Sequence, residues 1–319
     1  MPYHITNGAN ICYQEIGNGP NIFVFIHGGN GGMLSSITTG YGANLPKRIH
    51  SSISTPLTTN GGMYGSMVNR LKRKDRTIVT YDRRCAGASE YTINKFYTLE
   101  TLGTDCLQLM KHLGHDTFTV IGSSMGGPIA LWLAINHSNS INKLIILNSH
   151  PCIVGSYPPY NMNTYRYNSF QKIMKMSSTQ QKQYFIQKNH AKKMKSQLLI
   201  DIDAGGASLE TLRTTVQLLS NDTLFQYWTG ELHNLFCYLE KDFSNVGILN
   251  LIKMPTLIVH GDADPTVPYD GAIAMHQGIV GSTLYTVKGG GHGMPGDTEC
   301  QSIVVKWLDD NRIISSSRL

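Results

Sequence analysis

Two serines stand side by side between glycines in Thr119-Val120-Ile121-Gly122-Ser123-Ser124-Met125-Gly126-Gly127-Pro128. A serine hydroxyl becomes a nucleophile only when a neighbouring base takes its proton and an acid orients that base. In Gly-x-Ser-x-Gly the central serine occupies a sharp strand-to-helix bend, so the residues two positions away must lack side chains. Only Ser124 has that spacing, with Gly122 before it and Gly126 after it; Ser123 takes the variable position and points elsewhere. Downstream, Gly289-Gly290-Gly291-His292-Gly293 gives His292 a backbone free to swing its ring toward Ser124. The stretch Gly261-Asp262-Ala263-Asp264-Pro265-Thr266-Val267-Pro268 offers two carboxylates, Asp262 and Asp264, for the orienting role. A serine, a carboxylate and a histidine in one site would perform acyl transfer.

These residues need a scaffold that brings distant segments to one edge. Short apolar runs at Asn21–Ile26, Thr77–Tyr81, Phe118–Ile121, Lys143–Leu147, Thr256–His260 and Thr283–Val287 read as buried strands. Helical patterns alternate with them at Thr98–Leu113, stopped by Gly114, at Gly126–Asn136 with Pro128 in its first turn, and from Gln301 onward. Continuous apolar strands separated by helices predict an α/β fold, a mostly parallel sheet covered on both faces. Sites in such sheets lie at the carboxyl ends of strands, which is where Ser124, both aspartates and His292 fall. Two stretches break the rhythm. Residues 33–62, rich in Ser, Thr, Gly and Asn, read as a long loop beside the His27-Gly28-Gly29 turn. Residues 151–246, rich in Tyr, Gln, Lys and Met, read as a mostly helical insertion that divides the core into 1–150 and 247–319.

Composition narrows the function classes. Of 319 residues, 41% are hydrophobic and 15% charged, as in a globular domain large enough to bury an enzyme's core. The net charge of +6 is spread thinly apart from short basic runs at 70–76 and 188–195, so no nucleic-acid partner is expected. The six cysteines show no metal-binding or disulfide-framework spacing. His112 and His115, three apart, flank a helix end where histidines meet terminal carbonyls, so they are read as structural and no metal is expected. His-Gly-Gly-Asn-Gly-Gly at 27–32 is not a phosphate loop, because no Gly-Lys-Ser or Gly-Lys-Thr follows. Neither a secretory signal pattern nor an apolar run long enough for a membrane span is present, and a soluble cytoplasmic protein with reduced thiols is expected.

Taken in order, the His-Gly-Gly turn, Tyr81-Asp82-Arg83-Arg84, Gly-Ser-Ser-Met-Gly-Gly, Gly-Asp-Ala-Asp-Pro-Thr-Val-Pro and Gly-Gly-Gly-His-Gly resemble the α/β-hydrolase superfamily over nearly the whole chain, specifically its cofactor-free serine hydrolases with a helical cap. The resemblance implies that 151–246 is that cap and that no cofactor is required. It aligns Gly261, Asp264 and Val267-Pro268 with a Gly-x-x-Asp-x-x-Val-Pro pattern, making Asp264 the acid and Asp262 a turn residue. It further implies an oxyanion hole built from the backbone N–H groups of Gly29 and Met125. One departure is Cys85, where similar proteins carry glycine; it is read as a small buried residue without consequence.

The chemistry expected is hydrolysis of an ester or lactone of a small, fairly apolar molecule through an acyl-enzyme, the aromatics of the insertion, Trp228 among them, supplying a pocket. A carbon–carbon bond hydrolase, or an amidase or peptidase, with the same triad is the nearest alternative. A hydrolase-fold ligand receptor with slow turnover is the alternative of another class, and a module with a vestigial site is disfavoured by the filled triad. Fold alone names no substrate.

Overall fold

The structure is a computed structural model and describes residues 2–28, 62–87, 89–90, 97–152, 172–173, 175–196, 217, 220–222, 224–226, 228–229, 243 and 245–311. One eight-stranded sheet forms its frame: β1 (Tyr3–Thr6), β2 (Ala9–Gly17), β3 (Asn21–Ile26), β4 (Arg76–Tyr81), β5 (Phe118–Ser123), β6 (Ile141–Leu147), β7 (Thr256–Gly261) and β8 (Thr283–Val287). Their spatial order is β1-β2-β4-β3-β5-β6-β7-β8. The six strands from β3 to β8 pair in parallel, as their apolar runs predict. The two N-terminal strands are antiparallel additions that the sequence reading passed over. Their reason is visible in β2, where half-exposed Tyr13 and Gln14 and exposed Glu15 interrupt the apolar run, as suits a strand near a sheet edge.

Helices pack on both faces: α1 (Gly62–Leu71), α2 (Leu99–His112), α3 (Gly126–Asn136), α4 (Ser178–Gln187), the short α5 (Val246–Leu249), α6 (Asp270–Gly278) and α7 (Thr298–Asp310). Strand side chains alternate between two cores. Val24, Ile26, Val120, Leu144, Ile146 and Ile258 face the helices α2, α3 and α6, while Phe23, Phe25, Ile121, Ile145, Leu147, Leu257 and Val259 face α1 and α7. Helix α2 starts at the N-cap Thr98, whose side chain accepts from the Thr101 N–H, and the chain turns at Gly114 with φ +81°. Helix α3 is buried from Gly126 to Ala134, consistent with its apolar composition on every side. No helix among the described residues is long and apolar enough to cross a membrane.

A buried ion pair ties the turn after β4 to α2: Arg84 Nε and Nη2 lie 2.6 and 2.8 Å from the two carboxylate oxygens of Asp105, and Thr6 Oγ1 donates to the same group at 2.8 Å. Next to it Cys85 is buried, as expected, but in the left-handed region with φ +56°, the conformation glycine adopts freely. His112 stacks on His4 with ring centroids 3.8 Å apart, and His115 Nε2 lies 2.7 Å from Glu15 Oε1, so both fasten the N-terminal strands. Most of the 33–62 stretch lies outside the described residues. The 151–246 segment leaves the sheet after β6 and returns before β7, and its ends meet where the Phe243 N–H donates to the Pro151 carbonyl at 2.9 Å.

Candidate active site

Strand register levels the sheet edge that carries the site. Ile26 is paired with Gly122, Ser123 with Leu147, Leu147 with Val259 and Gly261 with Val287. The chain segments that follow β3, β5, β6, β7 and β8 therefore emerge together, and they contain His27, Ser124, Asn148, Asp264 and His292.

Ser124 occupies the bend between β5 and α3 with φ +51°. The flanking glycines are required by close approach: a Cβ on Gly122 would lie 2.6 Å from the Gly126 carbonyl oxygen, and one on Gly126 only 2.2 Å from the Ile26 carbonyl oxygen. Backbone bonds hold the strained bend, Ser124 N–H to the Leu147 carbonyl at 3.0 Å and Gly127 N–H to the Ser124 carbonyl at 2.9 Å. Ser149 Oγ donates to that Ser124 carbonyl at 2.6 Å.

His292 bridges serine and acid. Its Nε2 lies 3.1 Å from Ser124 Oγ and its Nδ1 lies 2.8 Å from Asp264 Oδ2. A carboxylate only accepts, so Nδ1 carries the proton and Nε2 is left to accept from the serine hydroxyl. The side chain of Asp264 is fully buried. Burial alone would raise its carboxyl, but interactions with His260 and His292 and the N–H groups of Val267 and Thr266 outweigh that and hold it well below the usual carboxylate range. The two N–H groups reach Oδ1 at 2.9 and 2.7 Å. His260 Nε2 donates to the Val267 carbonyl at 2.9 Å and lies 3.5 Å from Asp264 Oδ2. Asp262 has a separate task, accepting the Gly289 N–H at 2.6 Å at the base of the histidine loop.

Met125 is the N-cap of α3, where backbone N–H groups have no partner inside the helix and the helix dipole is positive. Gly29 lies outside the described residues. Before it, the Gly28 N–H is taken by Tyr64 Oη at 2.9 Å. His27 is buried, and this, with the nearby Arg83 charge, keeps its ring neutral. That ring donates from Nδ1 to the Gly28 carbonyl at 2.8 Å and accepts the Arg83 N–H at Nε2, 3.1 Å away, joining two turns. Trp228 is 7% exposed, stacks on Tyr184 and packs at tilted angles against Phe185, His190 and Phe225. Sequence reasoning passed over Tyr64, Asn148 and Ser149 as site neighbours, because none belongs to a motif and each is recruited by tertiary contact. Ser123, the variable position, turns away from the Ser124 side chain into a buried contact with Asn148.

A model of the family described as "alpha/beta hydrolase fold" matches residues 21–296. The candidate carbamate hydrolase RutD of Yersinia enterocolitica is 24% identical over 253 residues, 79% of this chain and 84% of that one. A 3-oxoadipate enol-lactonase of Acinetobacter baylyi is 34% identical over 96 residues, which is 30% of this chain and 35% of that protein. Among solved structures, an esterase from Exiguobacterium antarcticum superposes with a TM-score of 0.62 at 21% identity, covering 95% of this chain and 97% of that one. The chain belongs to the α/β-hydrolase-fold family and is a hydrolase.

Proposed function

We propose that this hydrolase cleaves an ester or lactone of a small, fairly apolar molecule by acyl transfer to Ser124. The observation that carries the reading is the line Ser124 Oγ, His292 Nε2, His292 Nδ1, Asp264 Oδ2, with contacts of 3.1 and 2.8 Å at its two ends. His292 takes the serine proton as Oγ attacks the carbonyl carbon, and Asp264 stabilises the imidazolium that forms. The N–H of Met125, at the positive end of α3, and the N–H of Gly29 receive the oxyanion. His292 then protonates the leaving alkoxide, and a water activated by the same ring releases the acid and restores Ser124. The esterase and enol-lactonase among the related proteins support the choice of ester or lactone. An insertion between β6 and β7, strands whose carboxyl ends border the triad, supports reading 151–246 as a cap with Trp228 a candidate lining residue. The buried free thiols Cys106 and Cys300 support a reducing compartment such as the cytoplasm.

A fluorophosphonate probe, with mass mapping of the labelled peptide and turnover of p-nitrophenyl acetate and a lactone panel, tests the reading. The expected result is a label on Ser124 and turnover abolished in Ser124→Ala. Labelling at Ser123, or none, overturns it. Cleavage of a vinylogous diketone without ester turnover would move the assignment to carbon–carbon bond hydrolysis, and an adduct that persists after one turnover would move it to a receptor.

A further inference from the structure

His292 belongs to a loop of glycines, and a ring on such a backbone stays in line only if the backbone is anchored. One set of anchors comes from the acid side: Asp262 Oδ1 accepts the Gly289 N–H at 2.6 Å and the Ala263 N–H donates to the Gly290 carbonyl at 3.1 Å. The other comes from the strand ends nearer the nucleophile. Asn148 follows β6, is 1% exposed and has φ +39°, a conformation asparagine tolerates better than most residues. Its N–H donates to the Val259 carbonyl at 2.9 Å, which fixes its backbone to β7. Its side-chain Nδ2 donates to the His292 carbonyl at 2.7 Å and lies 3.1 and 3.4 Å from the two ring nitrogens.

The amide cannot sit the other way round. With oxygen and nitrogen exchanged, Oδ1 would face the His292 carbonyl oxygen, acceptor against acceptor. Ser123 reinforces the orientation, donating from Oγ to Asn148 Oδ1 at 3.2 Å. Behind Ser123 stands the buried Tyr64 hydroxyl, which interacts with the Ser123 side chain and accepts the Gly28 N–H at 2.9 Å. Buried polar groups thus run from the turn after β3, behind the nucleophile, to the histidine loop.

We infer that Asn148 is a positioning residue for His292, held in its working orientation by Ser123 with Tyr64 behind, and that the variable position of the serine motif thereby helps to set the base. The inference rests on the assignment of His292 as the base, and its test separates the two.

Asn148→Gly removes the amide while accepting the positive φ, and Ser123→Ala removes its outer support. We expect kcat for p-nitrophenyl acetate to fall on the order of 10- to 100-fold in Asn148→Gly with KM nearly unchanged, since a base displaced by a fraction of an ångström loses proton-transfer geometry rather than substrate binding. Ser123→Ala should fall only several-fold. In Asn148→Asp a carboxylate replaces the amide beside a ring that otherwise faces the charge of Asp264, with His260 behind it. The acid limb of the pH–rate profile should then move up by about one pH unit. Proton NMR supplies a readout independent of turnover: the far-downfield signal of the proton between His292 Nδ1 and Asp264 should shift or broaden in Asn148→Gly. An unmoved signal overturns the positioning role, as does a kcat within about twofold of wild type. Turnover that survives Ser124→Ala overturns the acyl-transfer reading instead, and the NMR comparison still decides the role of Asn148.

Discussion

Gly126→Ala probes how tightly the bend at Ser124 is built. The added Cβ would lie 2.2 Å from the Ile26 carbonyl oxygen, 2.8 Å from the Ile26 carbonyl carbon and 3.0 Å from the His27 carbonyl oxygen. All three are backbone atoms, so no side chain can rotate out of the way. Ordinary carbon–oxygen contact needs about 1 Å more at the tightest point. Strand β3 cannot supply it, because it is paired with β4 on one side and β5 on the other, so the start of α3 must move. Ser124 is two residues upstream, and its Oγ is 3.1 Å from His292 Nε2. A displacement of about 1 Å takes that contact beyond hydrogen-bond range and is worth on the order of 100-fold in rate. Overpacking should also cost about 1–3 kcal/mol of stability.

The assay is the rate of fluorophosphonate labelling and of p-nitrophenyl acetate turnover, with thermal unfolding alongside. Gly291→Ala is the control, since an added Cβ there meets nothing within 4 Å although it adjoins His292. Both rates should collapse in Gly126→Ala and persist in the control. Wild-type rates and an unchanged Tm in Gly126→Ala would refute the contact between α3 and the end of β3 on which the reasoning depends.

Asp264→Asn should cut turnover on the order of 10⁴-fold, because an amide no longer enforces the proton on His292 Nδ1. The same variant tests acid stability. A carboxyl held below its ordinary value of 3.8 stabilises the fold above that value and loses the contribution as pH falls through its folded value. Wild type should therefore lose Tm more steeply than Asp264→Asn below about pH 4, and parallel curves would sink the assignment. Asp105→Ala leaves the buried Arg84 guanidinium without its carboxylate and should cost about 3–5 kcal/mol, read from the urea midpoint; a loss under about 1 kcal/mol would show that water replaces the pair. At Cys85, with φ +56°, valine should lower Tm more than glycine does, because a β-branched side chain clashes in the left-handed region; equal Tm values would place the turn elsewhere.

The inner parallel strands β4 to β7 were legible because nearly every residue in them is buried and their sequences are accordingly mostly apolar, while the edge strand β8 shows only through Leu284, Tyr285 and Val287. In β2, by contrast, polar residues on a half-exposed strand erase that signal. Helix α1 spaces Tyr64, Met67, Val68 and Leu71 at helical intervals, yet it follows a long polar stretch and merges into the basic run at 70–76, which masked it. The triad candidates were legible for a related reason. Ser124, Asp264 and His292 are far apart in the chain, but each follows a strand by no more than a few residues, and the register of a parallel sheet brings those ends level. Choosing between Asp262 and Asp264 required family resemblance, since nothing in the sequence says which carboxylate turns inward. In the fold the two diverge, Asp262 toward the Gly289 N–H and Asp264 toward the His292 ring.

Ser123 marks where motif reasoning stops. Gly122 and Gly126 are constrained from within the motif, by backbone contacts at a single bend, so spacing alone exposes them. Ser123 is constrained from outside it, by an Asn148 side chain 25 residues later and a Tyr64 hydroxyl on another helix. A position whose identity is demanded only by tertiary partners looks free in a one-dimensional pattern, however strongly the folded molecule uses it. The same logic explains why the bond-breaking machinery is easier to read than the substrate. The machinery hangs on strand ends that announce themselves by hydrophobic runs, whereas a binding pocket is assembled from side chains that no local rule compels, as the aromatics around Trp228 illustrate.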